Sequence, residues 1–201
     1  MIKGMIFDIG DVIYDIPFKY KKLSPLMIML GIEPLLFKFT SLMTKFGIYK
    51  KKYTTVDIET LRKKMKPREG VLETLKKLKQ KKMKIVFLTD TIYSPVKIQS
   101  RLLALGISDY VDKVVCSSEI GTYKPKKEAY DAAVKATGAK QSEVMFVGHA
   151  KDELEGAQKA GLKTIGYNLD PGAKGDYNAE HFSNILKIVG ELNAKRRHNR
   201  H

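Results

Sequence analysis

Residues 84–89 read KIVFLT, a β-branched and aromatic run that is apolar on both faces. A strand with no polar side belongs inside a parallel sheet covered by helices on each face. Arg68–Lys82, just before it, is amphipathic, with Val71, Leu72, Leu75 and Leu78 on one side of a helix. Working outward, Ile2–Asp8 reads as a strand, Pro95–Leu105 as a helix, Lys113–Ser117 as a strand and Lys126–Thr137 as a helix. Val144–Gly148, Lys151–Ala160, Thr164–Asn168 and Ser183–Leu192 continue as strand, helix, strand and helix. This alternation predicts an α/β fold, a doubly wound parallel sheet with right-handed crossovers.

One segment breaks the rhythm. Between the first strand and Arg68 lie three helical pieces, at about Phe18–Leu30, Glu33–Phe46 and Thr54–Met65, separated by Gly31 and by Gly47–Tyr53. With 201 residues the chain has room for one packed domain and such an insertion, not for two full-sized domains. Placed right after the first strand, the insertion lies over the carboxyl edge of the sheet, where open α/β folds bind ligands. It reads either as a lid or as extra packing.

The charge follows the same division. The chain carries 37 Lys+Arg against 22 Asp+Glu, a net +15. Thirteen of the basic residues fall in 16–68 against only Glu33, Asp57 and Glu59, a balance of +10, and Lys195, Arg196, Arg197 and Arg200 make residues 195–201 a basic tail. The remainder is nearly neutral, so the positive field belongs to the insertion and the tail. The single cysteine, Cys116, has no internal partner and the N-terminus lacks a secretory h-region, which point to a cytoplasmic protein. Leu23–Phe37, the most apolar stretch, is too short for a transmembrane helix and is broken by Pro25, Gly31 and Pro34.

Polar residues end the apolar strands: Asp8 in IFDIGDV, Thr89 in FLTDT, Lys124 in GTYKP after the third strand, and GHAKDELEG after the fourth. In a parallel sheet these ends meet at one edge. A carboxylate can serve as nucleophile, a hydroxyl with free N–H groups can hold phosphate oxygens, a lysine can offset developing charge, and paired carboxylates can hold magnesium. Together they are the parts needed for phosphoryl transfer. A P-loop pattern and a G-x-G-x-x-G after a strand are both absent from the sequence.

On these four motifs the sequence resembles the haloacid dehalogenase (HAD) superfamily, over residues 1–15 and 68–192. The resemblance implies a Rossmann-like core formed by 1–15 and 68–194 and an inserted all-helical cap at 16–67. It implies a magnesium-dependent phosphatase, with manganese or another divalent metal as alternatives, acting on a small phosphorylated metabolite through an aspartyl-phosphate. Carried over, Asp8 attacks phosphorus, Thr89 binds the phosphoryl oxygens and Lys124 steadies both. Asp8, the carbonyl of Gly10, Glu153 and Asp152 are the metal contacts. Asp90 is either a substrate contact or a turn residue, and Tyr20 and Lys50 are substrate contacts from the cap.

Two positions depart from the family pattern. Gly10 stands where an acid usually lies two residues after the nucleophile, so no side chain there can move a proton; water, Asp11, His149 or a substrate group would substitute. His149 stands where the fourth motif usually has Asp, and imidazole suits transition metals better than magnesium. Two other readings follow. One is a non-catalytic binding protein of the same fold, its basic cap holding an acidic partner or nucleic acid through Tyr20, Tyr49, Tyr53 and Lys50–Lys52. The other is a 2-haloacid dehalogenase, although Thr89–Asp90 replaces its usual Ser-Asn pair.

Overall fold

The computed structural model describes residues 1–15, 63, 65–91 and 93–198. The helical pieces of the insertion fall almost wholly outside the described residues, as do Tyr20 and Lys50–Lys52. In chain order the described elements are β1 (Gly4–Phe7), α1 (Val71–Gln80), β2 (Lys84–Thr89), α2 (Pro95–Ala104), β3 (Lys113–Cys116) and α3 (Ser117–Ile120). They continue with α4 (Lys127–Thr137), β4 (Val144–Gly148), α5 (Lys151–Lys159), β5 (Lys163–Tyr167), β6 (Tyr177–Ala179) and α6 (Asn184–His198).

The strands form one parallel sheet in the order β3-β2-β1-β4-β5-β6. Strand order reverses at β1, with Ile6 level with Val86 on one side and Phe146 on the other. In open α/β sheets the crevice outside the carboxyl ends at this switch point is where ligands bind.

Side chains alternate between two apolar layers, as the pleat requires. Met5, Phe7, Ile85, Phe87, Met145 and Val147 face one layer, closed by α1, α2 and α6 through Leu75, Leu78, Ile98, Leu102 and Ile185. Ile6, Val86, Leu88, Val144 and Phe146 face the other, closed by α4 and α5 through Tyr130, Ala133, Leu154 and Ala157. The doubly wound sheet expected from KIVFLT is therefore what forms.

Details differ from the expectation. Leu72 does not join the apolar side of α1; it is 41% exposed, and Thr74 lies in the buried face instead. β6 was not anticipated, because three residues reading YNA carry no period; Asp176 fastens it by accepting from the Thr164 N–H at 2.7 Å and its hydroxyl at 2.9 Å. The last helix runs to His198 rather than stopping at Leu192. Cations suit a helix carboxyl end, and Arg196 donates to the Ser142 carbonyl at 3.0 Å. Among the described residues no helix is long and apolar enough to cross a membrane.

Candidate active site

Asp8 follows the last residue of β1, and its N–H donates to the Val147 carbonyl at 2.9 Å, tying the ends of β1 and β4 together. Its carboxylate is buried and its Oδ1 accepts a hydrogen bond from Lys124 Nζ. The same ammonium, 1% exposed, lies 3.0 Å from Glu153 Oε1. A lysine from the loop after β3 thus bridges a carboxylate from β1 and one from the first turn of α5. Burial favours the neutral amine, but Asp8, Glu153 and Asp90 outweigh it and hold the Lys124 pKa well above its ordinary value. Burial pushes the Glu153 carboxyl up to about 8; Lys124 opposes the rise while Asp8 and Asp90 add to it.

Small-residue packing makes this bridge reachable. Gly156, one turn beyond Glu153, lies against the loop carrying Lys124: a Cβ there would come within 2.5 Å of the Pro125 Cβ and 2.7 Å of its carbonyl oxygen. The Tyr130 hydroxyl, from α4, donates to the Glu153 carbonyl at 2.7 Å and fixes that turn.

His149 ends β4 on the other side of Asp8. Its Nε2 is 3.8 Å from Asp8 Oδ2 and its Nδ1 is 3.2 Å from Asp170 Oδ1. The Asp170 N–H donates back to the His149 carbonyl at 3.1 Å, so the loop after β5 braces the imidazole. Sequence reading missed Asp170, since Asp170-Pro171-Gly172 signals only a turn.

Thr89 closes β2 level with Cys116 and is buried at the same edge. Asp90 is exposed, and its Oδ1 accepts from the Lys124 N–H at 3.3 Å, linking the loops after β2 and β3. Gly10 forms a bridge with Tyr14 across a tight turn in which Asp11 takes φ 54°. The Asn168 amide, from the end of β5, donates to the Asp11 carbonyl at 2.8 Å and holds that turn in place. Asp152 is not brought in: its side chain is exposed and its Oδ1 accepts from the Glu153 N–H at 2.9 Å.

For a metal, the described residues offer no cluster of three or more His, Cys, Asp or Glu side chains. They do offer Asp8 and Glu153, and Glu153 Oε2 is buried without a hydrogen-bond partner. Magnesium is commonly held by one or two carboxylates, with substrate phosphate and water completing its shell. Asp8, Glu153 and the Gly10 carbonyl fit an ion bound in that way; they do not form an all-protein cage.

A haloacid dehalogenase-like hydrolase model matches residues 27–167. The chain belongs to this family. Among its HAD relatives, the pyrophosphatase PpaX of Halalkalibacterium halodurans is 30% identical over 137 residues, 63% of this chain and 61% of that protein. The glyceraldehyde 3-phosphate phosphatase of Methanopyrus kandleri is 33% identical over 102 residues, covering 50% of this chain and 43% of the relative. The chain thus spans less than two thirds of these two relatives. The enzyme of that name in Methanocaldococcus jannaschii is 24% identical, with 96% of this chain and 99% of the relative covered. Among solved HAD folds, a phosphatase from Thermococcus onnurineus superposes with a TM-score of 0.64 at 19% identity, covering 94% of this chain and 98% of that one.

Proposed function

We propose that this HAD-fold chain hydrolyses phosphomonoesters through a phosphorylated Asp8, in the cytoplasm, with 1–15 and 68–194 as the catalytic core and 16–67 as the cap that selects a small phosphorylated substrate. The observation that carries the reading is the buried Lys124 ammonium bridging Asp8 and Glu153 beside Thr89, at the switch point of the sheet. An isolated buried cation of this kind is costly unless its partners repay the desolvation. Here it leaves Asp8 ionised and its Oδ2 directed away from Lys124.

In the first step an Asp8 oxygen attacks phosphorus and the bond to the leaving oxygen breaks. Thr89 and Lys124 bind the non-bridging oxygens as charge gathers on them. Water then attacks phosphorus, releasing inorganic phosphate and restoring the Asp8 carboxylate. A divalent ion held by Asp8, Glu153 and the Gly10 carbonyl would supply positive charge to the phosphoryl oxygens when bound; magnesium is our assignment, with manganese as the alternative. Because Gly10 offers no acid, a leaving group that departs without a proton is favoured. Aryl phosphates should therefore outrun alkyl phosphates.

The reading is tested with an aryl phosphate in the presence of Mg²⁺, Mn²⁺, Co²⁺ or chelator. Turnover that requires a divalent ion supports it. No turnover with any ion would replace it with the non-catalytic binding protein.

A further inference from the structure

Beside the catalytic carboxylate the structure gathers positive charge that the phosphoryl chemistry does not use. Lys97 Nζ lies 4.0 Å from the centroid of the Tyr93 ring and the Arg101 guanidinium carbon 4.5 Å from the same centroid. Both cations come from α2, spaced one turn apart, and share one ring. Cation–π contact is worth only ~0.5–1 kcal/mol at partly exposed sites, while two cations this close repel. Burial, then the charge of Arg101, weakens the hold of Lys97 on its proton. Among the described residues no carboxylate pairs with Arg101; its hydrogen-bond partner is the neutral Tyr14 hydroxyl, at 3.3 Å.

This pair is fixed at the carboxyl edge. The Tyr93 N–H donates to Thr91 Oγ1 at 3.1 Å, the Thr91 N–H to Ser117 Oγ at 2.8 Å, and Ser118 Oγ to the Tyr93 carbonyl at 2.8 Å. The ring is thereby clamped to the loop that begins at Thr89. On the other side, Tyr14 pairs with Gly10, two residues from Asp8. Burial raises the Tyr14 pKa, Arg101 opposes, and the Asp8 charge adds to it, which places the phenol within the field of the nucleophile. Unrelieved local repulsion in an otherwise consistent fold is expected where a ligand completes the site.

We propose that Lys97 and Arg101, held on the Tyr93 ring, bind a second anionic group of the substrate, so that the preferred substrate is a phosphoester whose leaving alcohol carries a carboxylate or a further phosphate. This rests on Asp8 phosphoryl transfer and adds its substrate class. The guanidinium offers two parallel N–H donors suited to either anion.

The test compares kcat/KM for three alkyl phosphates, whose leaving groups are matched: glycerol phosphate, phosphoglycolate and a bisphosphorylated alcohol. Wild type should prefer at least one anionic ester, and which one separates carboxylate from phosphate. Arg101→Gln and Lys97→Gln should each lower the ratio of anionic to neutral ester by ~10-fold, the size of one charge-assisted hydrogen bond. Arg101→Lys should recover part of it. Lys84→Gln, at the far edge of the sheet, should leave the ratio unchanged. A wild-type enzyme without preference, or variants that lose all three esters in proportion, would overturn the anion site while leaving Asp8 chemistry intact. If no ester turns over, an aryl phosphate decides whether Asp8 chemistry fails too; in either case the proposed substrate class is wrong.

Discussion

At the amino edge of the sheet Lys3 meets Glu143 at 2.6 Å, and Asp112 gathers Lys79 at 2.8 Å, Lys84 at 3.4 Å and the Ile85 N–H at 2.8 Å. At the carboxyl edge one buried ammonium serves Asp8 and Glu153, and His149 approaches Asp8 without closing a hydrogen bond. The first edge uses partly exposed pairs to fasten strand ends, with cations at least equal to anions. The second buries its charges and leaves carboxylates in excess of the fixed cation. Surface pairs contribute little to stability, whereas a buried pair is costly to make and costlier to break. The same sheet thus spends charge on anchoring at one edge and on chemistry at the other.

Removing the nucleophile breaks that contrast most severely. Asp8→Asn keeps the shape of the side chain, and turnover of an aryl phosphate should fall by at least ~10³-fold. The circular dichroism spectrum should not change.

Lys124→Met, similar in volume, leaves Asp8 and Glu153 without their shared cation. It should abolish turnover and cost ~3–5 kcal/mol in urea unfolding at neutral pH. A cost below ~1 kcal/mol would mean that the bridge is no more than a surface pair.

Gly156→Ala tests how α5 delivers Glu153. The new methyl would collide with Pro125 backbone, so the helix must move away from the Lys124 loop, at ~1–3 kcal/mol of stability and with reduced turnover.

These positions also mark how far sequence alone reaches. Asp8, Thr89 and Lys124 were legible because each ends an apolar strand or follows one, and a parallel sheet forces such ends together. Asp152 and Glu153 were not separable: neighbouring helical residues point about 100° apart, and only packing of Gly156 on Pro125 decides that Glu153 turns inward. The His149–Asp170 contact was hidden because it depends on the path of the loop after β5. The Tyr93–Lys97–Arg101 group was hidden because Lys and Arg spaced four apart on a helix read as a solvated face. The cap residues Tyr20 and Lys50 were read from charge and lie outside the described residues.

Smaller effects belong to the amino edge. Burial of Asp112 is outweighed by the Ile85 N–H and Lys79, so its carboxyl is held below the ordinary 3.8. Its stabilisation is therefore present above 3.8 and lost as pH falls through the folded-state value. Asp112→Asn should cost ~1 kcal/mol at pH 7, and the two unfolding curves should converge in acid. Glu143→Gln, at the exposed pair with Lys3, should not move the melting midpoint measurably; a clear drop would mean that this edge also carries stability through charge.

The most direct measurement is acid-quench mass spectrometry of the enzyme mixed with excess aryl phosphate, with the labelled peptide sequenced. A phosphoryl adduct on Asp8, formed during turnover and absent from Asp8→Asn, is the predicted result. Turnover that persists in Asp8→Asn, or an adduct on another side chain, would contradict the account.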